Sequence, residues 1–477
     1  MRIALVHYHL RRGGVTSVVL NQARSLSAAG VEVLIIAGEM PEGELKFPSA
    51  LVGDLAYDKP GVFLDAGEIE RGARKLAGDI LRVTEEYWPA RDGDRCGADI
   101  IHIHNPLIQK NSLLVPAIKI LSGGGARLFL QNHDLAEDFR PDVYLGDTEY
   151  PENCHYGVIN SRDFDYLRRA GLTAEGLHLI PNEVFPLRAS AGFKRTRYLY
   201  PVRAIRRKNI GEALLLSLFI PRGRTVAFTL PPPEKDSARY HRWIALASEL
   251  ELPVEFDLGL RHSLSDLLGT AVCALTTSVK EGFGFSFLEP WTAGLGLFGR
   301  RIDYVCADFE KAGLRFDRLY PSFDIPAEYI PGGLAEKMEA ALRRIYAAFG
   351  IDMPPDYGRV LMEDIAGSTA VDFGRLDEQS QEEIIRAVHA GSRIRQDIAG
   401  AFAGLENLAD WRDDEELAEA NCAAIAAHYG QERITETLLE IYRKIRENAV
   451  IQRISKNALL ELYLDPLRLS LVGIGDG

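Results

Sequence analysis

Cysteine is scarce and scattered in this chain. Cys96, Cys154, Cys273, Cys306 and Cys422 are odd in number and form no CxxC pair. That excludes a disulfide framework and a cysteine zinc site, and it fits a reducing cytoplasm. No apolar run reaches the roughly 18 residues a membrane-spanning helix requires. The opening Met1–His7 is apolar only briefly and reads as a first strand, not a signal peptide. An excess of cations is missing too. Lys and Arg number 55 against 68 Asp and Glu, a net charge of -13. Nucleic-acid binding is therefore not expected, because phosphate backbones demand clustered positive charge. The same balance gives no support for docking on an anionic membrane. Low-complexity tracts and short repeats are absent. Gly13-Gly14 lacks the full GxGxxG spacing, which makes a dehydrogenase a poor reading.

What is present is an ordinary globular composition, 47% apolar and 26% charged, over 477 residues. Such a length implies two domains of similar size. Short β-rich runs alternate with helical stretches: Ile3–His7, Val31–Ala37, Asp99–His104, Arg127–Asn132, Gly157–Asn160 and Leu177–Ile180. A helix over Thr16–Ala29 follows the Gly13-Gly14 turn. Periodicity lapses near Pro186–Arg195, then a second set begins with Arg197–Arg203, Thr225–Thr229, Pro253–Phe256 and Val272–Thr277. Alternation of this kind predicts parallel sheets with helices on both faces. The expected domains are 1–187 and 188–451, with helices over Leu334–Ala348, Gln379–Ala399, Asp414–His428 and Ile434–Asn448. Residues 350–378 give little signal. Residues 452–477 are expected to pack back on the first domain.

The stretch Glu281-Gly282-Phe283-Gly284-Phe285-Ser286-Phe287-Leu288-Glu289 carries the most chemistry. It joins a strand to a helix through glycines, which is how α/β proteins present backbone N–H groups to phosphate. Acids flank the turn. An acid repels a diphosphate but grips hydroxyls, on a ribose or on a sugar. The combination suggests a nucleotide-sugar site. Arg203 and Lys208 follow a strand end, where cations would stabilise charge growing on a departing phosphate. The bland alternative is a solvated cationic turn, since Arg206 and Arg207 are adjacent. Glu289 could instead close a capping box with Ser286, although Pro290 favours the first helical position and would move the cap to Glu289.

These residues resemble the retaining glycosyltransferases of the GT-B fold, in particular glycosyltransferase family 4. The resemblance spans roughly residues 1–300. It rests on Gly13-Gly14-Val15, on Arg203 with Lys208-Asn209, and on the Glu281–Glu289 pair. Weaker matches are Ile101-His102-Ile103-His104, Asn132-His133-Asp134, Asn160-Ser161 and Ile180-Pro181-Asn182. The resemblance implies two Rossmann-like domains facing across a cleft, α/β in class, with a helical C-terminal extension. It assigns Arg203 and Lys208 to the diphosphate, Glu289 to the ribose hydroxyls and Glu281 to the transferred sugar. Gly282, Phe283 and Gly284 would bring backbone near the donor. Gly13 and Gly14 would approach the diphosphate or acceptor, and His133 would lie beside the transferred sugar. His104, Asn105 and Asp134 would contact the acceptor, or His104 and Asn105 merely close a turn. Asn160 and Ser161 either line the cleft or cap the helix that follows, the cap being favoured.

The implied activity is retaining transfer of a hexose from a nucleoside-diphosphate sugar, UDP-glucose or GDP-mannose in type, to a hydroxyl of a polar soluble acceptor. No divalent metal or other cofactor is expected. The rivals are another GT-B activity, an epimerase or phosphorylase, and a nucleotide-sugar-binding protein without turnover. The chain departs from the family pattern at Glu183, at Pro290-Trp291 and at Arg300-Arg301. Those arginines would grip an anionic acceptor or a phosphate, or lie on the surface.

Overall fold

The computed structural model describes all residues except 60, 62, 91–95, 147, 403 and 475–477. It contains two compact units. One comprises Met1–Glu183 and Tyr429–Leu464, the other Val184–His428 and the residues from Asp465 onward.

The first unit is built on seven parallel strands: β1 (Arg2–His7), β2 (Glu32–Ala37), β3 (Ser49–Leu51), β4 (Ile100–His104), β5 (Leu128–Asn132), β6 (His155–Val158) and β7 (Leu177–Leu179). Their order is β3-β2-β1-β4-β5-β6-β7. The central strands read as near-continuous apolar runs because helices cover both faces. On one face Ile3, Leu5, Ile100 and Phe129 pack with Val19 and Leu26 of the helix Gly14–Ala28. On the other, Ile101 and Ile103 pack with Leu76 and Ile80 of Ala66–Tyr87 and Ile118 of Leu114–Gly123. The register sets Val6 against Ile103, so β1 and β4 end side by side.

A second parallel sheet holds the other unit: β8 (Arg197–Arg203), β9 (Thr225–Leu230), β10 (Val254–Glu255), β11 (Ala271–Thr276), β12 (Leu297–Arg300) and β13 (Leu319–Tyr320), in the order β10-β9-β8-β11-β12-β13. An antiparallel pair, β14 (Asp324–Pro326) and β15 (Ala370–Asp372), stands apart from it. The weakly patterned stretch 350–378 thus contains β15 and the helix Tyr357–Ala366. A single helix was expected over Gln379–Ala399. Two are present, Glu378–Ala390 and Ser392–Ala401, because Gly391 adopts an extended conformation that ends one and opens the next.

The return to the first unit begins at Tyr429, earlier than the expected residue 452, and the chain leaves again at Asp465. The cause is the amphipathic helix Gln431–Glu447. Its Ile434, Leu438, Ile441, Tyr442 and Ile445 complete the core on the face of β1, β4 and β5. The Tyr442 hydroxyl also lies 2.8 Å from Nδ1 of the buried His102. Downstream, Lys456–Tyr463 packs by Leu459 and Tyr463 on the opposite face. Among the described residues no helix is long and apolar enough to cross a membrane.

Leu438 is fully buried. Leu438→Ala should therefore destabilise the first unit by about 2–5 kcal/mol, read as a lowered urea midpoint. An unchanged midpoint would mean that the helix only rests on this face.

Candidate functional site

In an open parallel sheet, ligands bind beyond the carboxyl ends of the strands where the strand order reverses. That point lies between β8 and β11 in one unit and between β1 and β4 in the other. Each carries a cluster of polar side chains.

In the second unit, β8 ends at Arg203, whose side chain is exposed. Among the described residues it has no ion-pair partner. A tight turn over Arg206–Lys208 leads to Asn209, which sits in the left-handed region at φ 51° and opens the helix Ile210–Ser217. Asparagine tolerates this conformation better than most residues do. The turn is tied down from both sides. Tyr200 donates to the Lys208 carbonyl at 3.0 Å, and the Thr277 hydroxyl donates to the Lys208 and Asn209 carbonyls at 3.0 Å each. Lys208 is thereby held against Glu281, and its ammonium donates to that carboxylate. Their side chains are 12% and 7% exposed. Arg207 Nη1 stands 3.9 Å from the other Glu281 oxygen.

Burial disfavours charge on both partners. For Glu281 the cations Lys208 and Arg207 outweigh burial, and its pKa falls below the usual carboxylate range. For Lys208 burial prevails over Glu281, and its pKa falls as well. The Tyr304 hydroxyl brackets the Glu281 backbone, accepting from its N–H at 3.2 Å and donating to its carbonyl.

The glycine turn follows. Gly284 lies at φ 94°, and a Cβ there would meet Val305 Cγ1 at 2.7 Å, so glycine is required. Gly282 is half-buried. Phe283 is buried with its ring edge-on to Phe285 and Phe309. Its side chain therefore anchors the turn. Glu289 stands at the start of the short helix Glu289–Thr292. The capping box does not form: Ser286 Oγ is buried without a partner. Burial raises the Glu289 pKa to about 7, against the opposing pull of Lys208. Among the described residues no hydrogen-bond donor reaches its carboxyl.

Arg300 neither faces the site nor lies on the surface. It is 4% exposed and paired with Glu212 and Asp372 inside the second unit. Arg301 pairs on the surface with Asp303 and Glu310.

In the first unit, His7 and His104 end β1 and β4, and His133 follows the last residue of β5. His104 Nδ1 lies 3.1 Å from His133 Nε2, with the rings stacked at 11°. Asn105, left-handed at φ 58°, accepts from the His133 and Asp134 amides at 2.9 and 3.1 Å. It therefore fixes the start of the next loop, a structural task. His104 has no exposed surface and sits beneath His133, so it meets a ligand only through that ring. Asp134 is more open and lies 3.5 Å from Arg140.

Burial lowers the His133 pKa to about 4 and that of His7 to about 3, and holds His104 well below its ordinary value. All three rings are neutral at neutral pH. They suit hydroxyls better than phosphates. Gly13 and Gly14 are exposed at the head of Gly14–Ala28. Gly13 is extended at φ -175°, and a Cβ on Gly14 would meet nothing within 4 Å. Backbone strain does not demand glycine at either position; its effect is a bare approach to the helix N–H groups. Asn160 accepts from the Asp163 amide at 2.8 Å and caps the helix Ser161–Arg169.

Sequence reasoning missed Arg207, Tyr304, Tyr200 and Thr277 around Lys208, and His7 beside His104. A signal existed for the last: β1 and β4 each end in histidine. Tyr304 left none, because it reaches Glu281 from a later helix. Among the described residues no group of three or more His, Cys, Asp and Glu is placed to hold a metal ion.

No family model matches the sequence. The chain is 26% identical over 398 residues to the mannosylglucosyl-3-phosphoglycerate synthase of Petrotoga mobilis, covering 72% of each chain. Among solved structures it is similar to the sucrose-phosphate synthase of Thermosynechococcus elongatus (TM-score 0.51, 15% identity, 93% of this chain and 98% of that one). A second is Anabaena HepE in complex with UDP and glucose (TM-score 0.52, 12% identity, 92% and 98%). A glycosyltransferase of Rickettsia africae is a third (TM-score 0.52, 12% identity, 94% and 99%). These likenesses establish the fold: two Rossmann-like parallel sheets of the GT-B type, with added C-terminal helices.

The raised pKa of Glu289 has a direction that can be tested. Its folded form binds a proton more tightly than its unfolded form, so stability falls as pH rises from about 4.5 toward about 7 and is level above. Glu289→Gln should remove this loss. Relative to wild type the variant should gain up to roughly 3 kcal/mol between pH 5 and pH 8, read from thermal unfolding at both pH values.

Proposed function

We propose that this chain is a retaining glycosyltransferase that moves a hexose from a nucleoside-diphosphate sugar to a hydroxyl of a polar acceptor. The observation that carries the reading is the buried Lys208–Glu281 pair at the point of strand reversal in the second unit. A cation with little water around it acts strongly on charge that develops nearby. When the bond between sugar and phosphate breaks, the leaving diphosphate gains charge. Lys208, with Arg203 at the strand end, stabilises that charge more than the ground state. Glu281 stays ionised beside the lysine and accepts hydrogen bonds from the transferred sugar. Glu289 faces the ribose diol.

His133 and the bare head of the helix Gly14–Ala28 serve the hydroxyl-rich ligands of the first unit. In the retaining reading, the acceptor hydroxyl attacks on the face the diphosphate leaves, and the departing phosphate takes its proton. The step needs no divalent metal, and activity should persist in EDTA.

The Petrotoga relative is named for a mannosylglucosyl-3-phosphoglycerate product. GDP-mannose with a glucosylated phosphoglycerate is accordingly the first pair to assay, and UDP-glucose the second donor. A thermal-shift screen with UDP, GDP and ADP and their sugars identifies the base, since a ligand of the folded state raises the melting point. No shift with any of them would overturn the proposal. Proton NMR of the product should show the donor's anomeric configuration.

Lys208→Ala should lower turnover by on the order of 10²–10³-fold with the fold intact. Glu289→Ala should instead weaken nucleotide affinity by about tenfold, measured by calorimetry. An unchanged dissociation constant would remove Glu289 from the ribose.

A further inference from the structure

Beneath the Lys208 turn lies a closed set of charged and polar groups. Asp372 and Glu212 flank the Arg300 guanidinium. Nη1 and Nη2 reach Asp372 at 2.7 and 2.8 Å, Nε reaches Glu212 Oε1 at 3.1 Å, and Nη2 also donates to Glu212. Glu212 is wholly buried and accepts further bonds from the Tyr320 hydroxyl and from Asn209 Nδ2, both at 2.8 Å. Asn209 in turn accepts from Gln381 Nε2 at 2.8 Å. Its amide therefore has an anion on its donor side and a donor on its acceptor side.

Gly299 makes this arrangement possible. It lies at φ 142°, and a Cβ there would fall 1.8 Å from the Thr276 carbonyl oxygen. Only glycine lets β12 run that close to β11 and deliver Arg300 under the turn.

A buried ion pair of this type is weak as a source of stability, because desolvation cancels most of its attraction. What it supplies is a fixed position for a carboxylate. We infer that Glu212, held by Arg300, is a positioning residue: it locks Asn209 in the left-handed conformation and so aims Lys208 at the diphosphate. The inference rests on the assignment of Lys208 to the donor. The sequence offers no hint of it, since Arg300 and Asn209 are far apart along the chain.

Glu212→Gln tests it. The glutamine still accepts from Tyr320 and Arg300 through its oxygen, and Arg300 keeps Asp372. Its amide, however, turns a donor toward Asn209 Nδ2 and also toward Arg300 Nη2, the two donors that the same carboxylate oxygen served, while Nη2 keeps Asp372. Combining it with Asn209→Asp reverses the polarity of that one bond and restores it. UDP and GDP binding should be measured by calorimetry for wild type, Lys208→Ala, Glu212→Gln and the double variant, with thermal unfolding followed in parallel.

Glu212→Gln should weaken the nucleotide that binds wild type by about tenfold, and the double variant should recover to within about threefold. A merely structural role would lower the melting point in step with the affinity, whereas a positioning role changes affinity with the melting point held. If Lys208→Ala weakens binding while Glu212→Gln does not, the inference is overturned. It is equally overturned if the double variant binds no better than Glu212→Gln. If Lys208→Ala itself leaves binding unchanged, the donor assignment beneath it fails instead. Should Glu212→Gln not fold, Asn209→Gly still permits the left-handed conformation but, without the side-chain bonds, no longer fixes it, and should show the same tenfold loss. Wild-type affinity in that variant would again overturn the inference.

Discussion

The second unit is organised around a cation that has been taken out of water. Lys208 is almost fully buried at a strand end, and a buried ammonium without an anion is prohibitively costly. Glu281 answers it from the loop that follows the neighbouring strand, β11. The requirement propagates outward. Glu281 must be fixed, and Tyr304 brackets its backbone. The lysine carbonyl must be satisfied, and Tyr200 does so. The glycine turn then passes close to Val305, which Gly284 permits. Each of these features is local, yet all serve one pair.

The two units treat charge differently. Around Lys208 the groups are ionised, apart from Glu289, whose pKa near 7 places it between its forms at neutral pH. Around His133 the groups are neutral imidazoles, desolvated and stacked. Diphosphates call for the first environment and hydroxyls for the second. Each environment arises from the same device, polar residues placed at the carboxyl ends of parallel strands where the order reverses.

Much of this was legible in the sequence. The alternation of apolar runs locates the long central strands and the turn glycines, because parallel strands buried on both faces leave an unbroken apolar record. The Arg197–Arg203 strand is read to its last residue. Arg203, Lys208, Glu281 and Glu289 stand out because charge at a strand end is conspicuous. The short strand β13 and the pair β14–β15 were not legible, since two or three residues carry no period. Arg300 was misjudged for a different reason. Its partners Glu212 and Asp372 come from distant parts of the chain, and only the folded sheet brings them together. The break at Gly391 was overlooked because the helical spacing continues on both sides of it.

The first unit is discontinuous along the chain, and this bears on how it is made. Residues 1–183 leave the ribosome with one face of their sheet covered only in part, by Gly14–Ala28, because the helix Gln431–Glu447 that completes the cover is still about 250 residues away. At synthesis rates of roughly 5–20 residues per second, the gap lasts on the order of 10–50 s. During that interval Ile3, Leu5 and Ile100 lack part of their cover, and exposed apolar surface of this kind is prone to aggregate. The first unit is protected from aggregation only once residues 429–464 are in place.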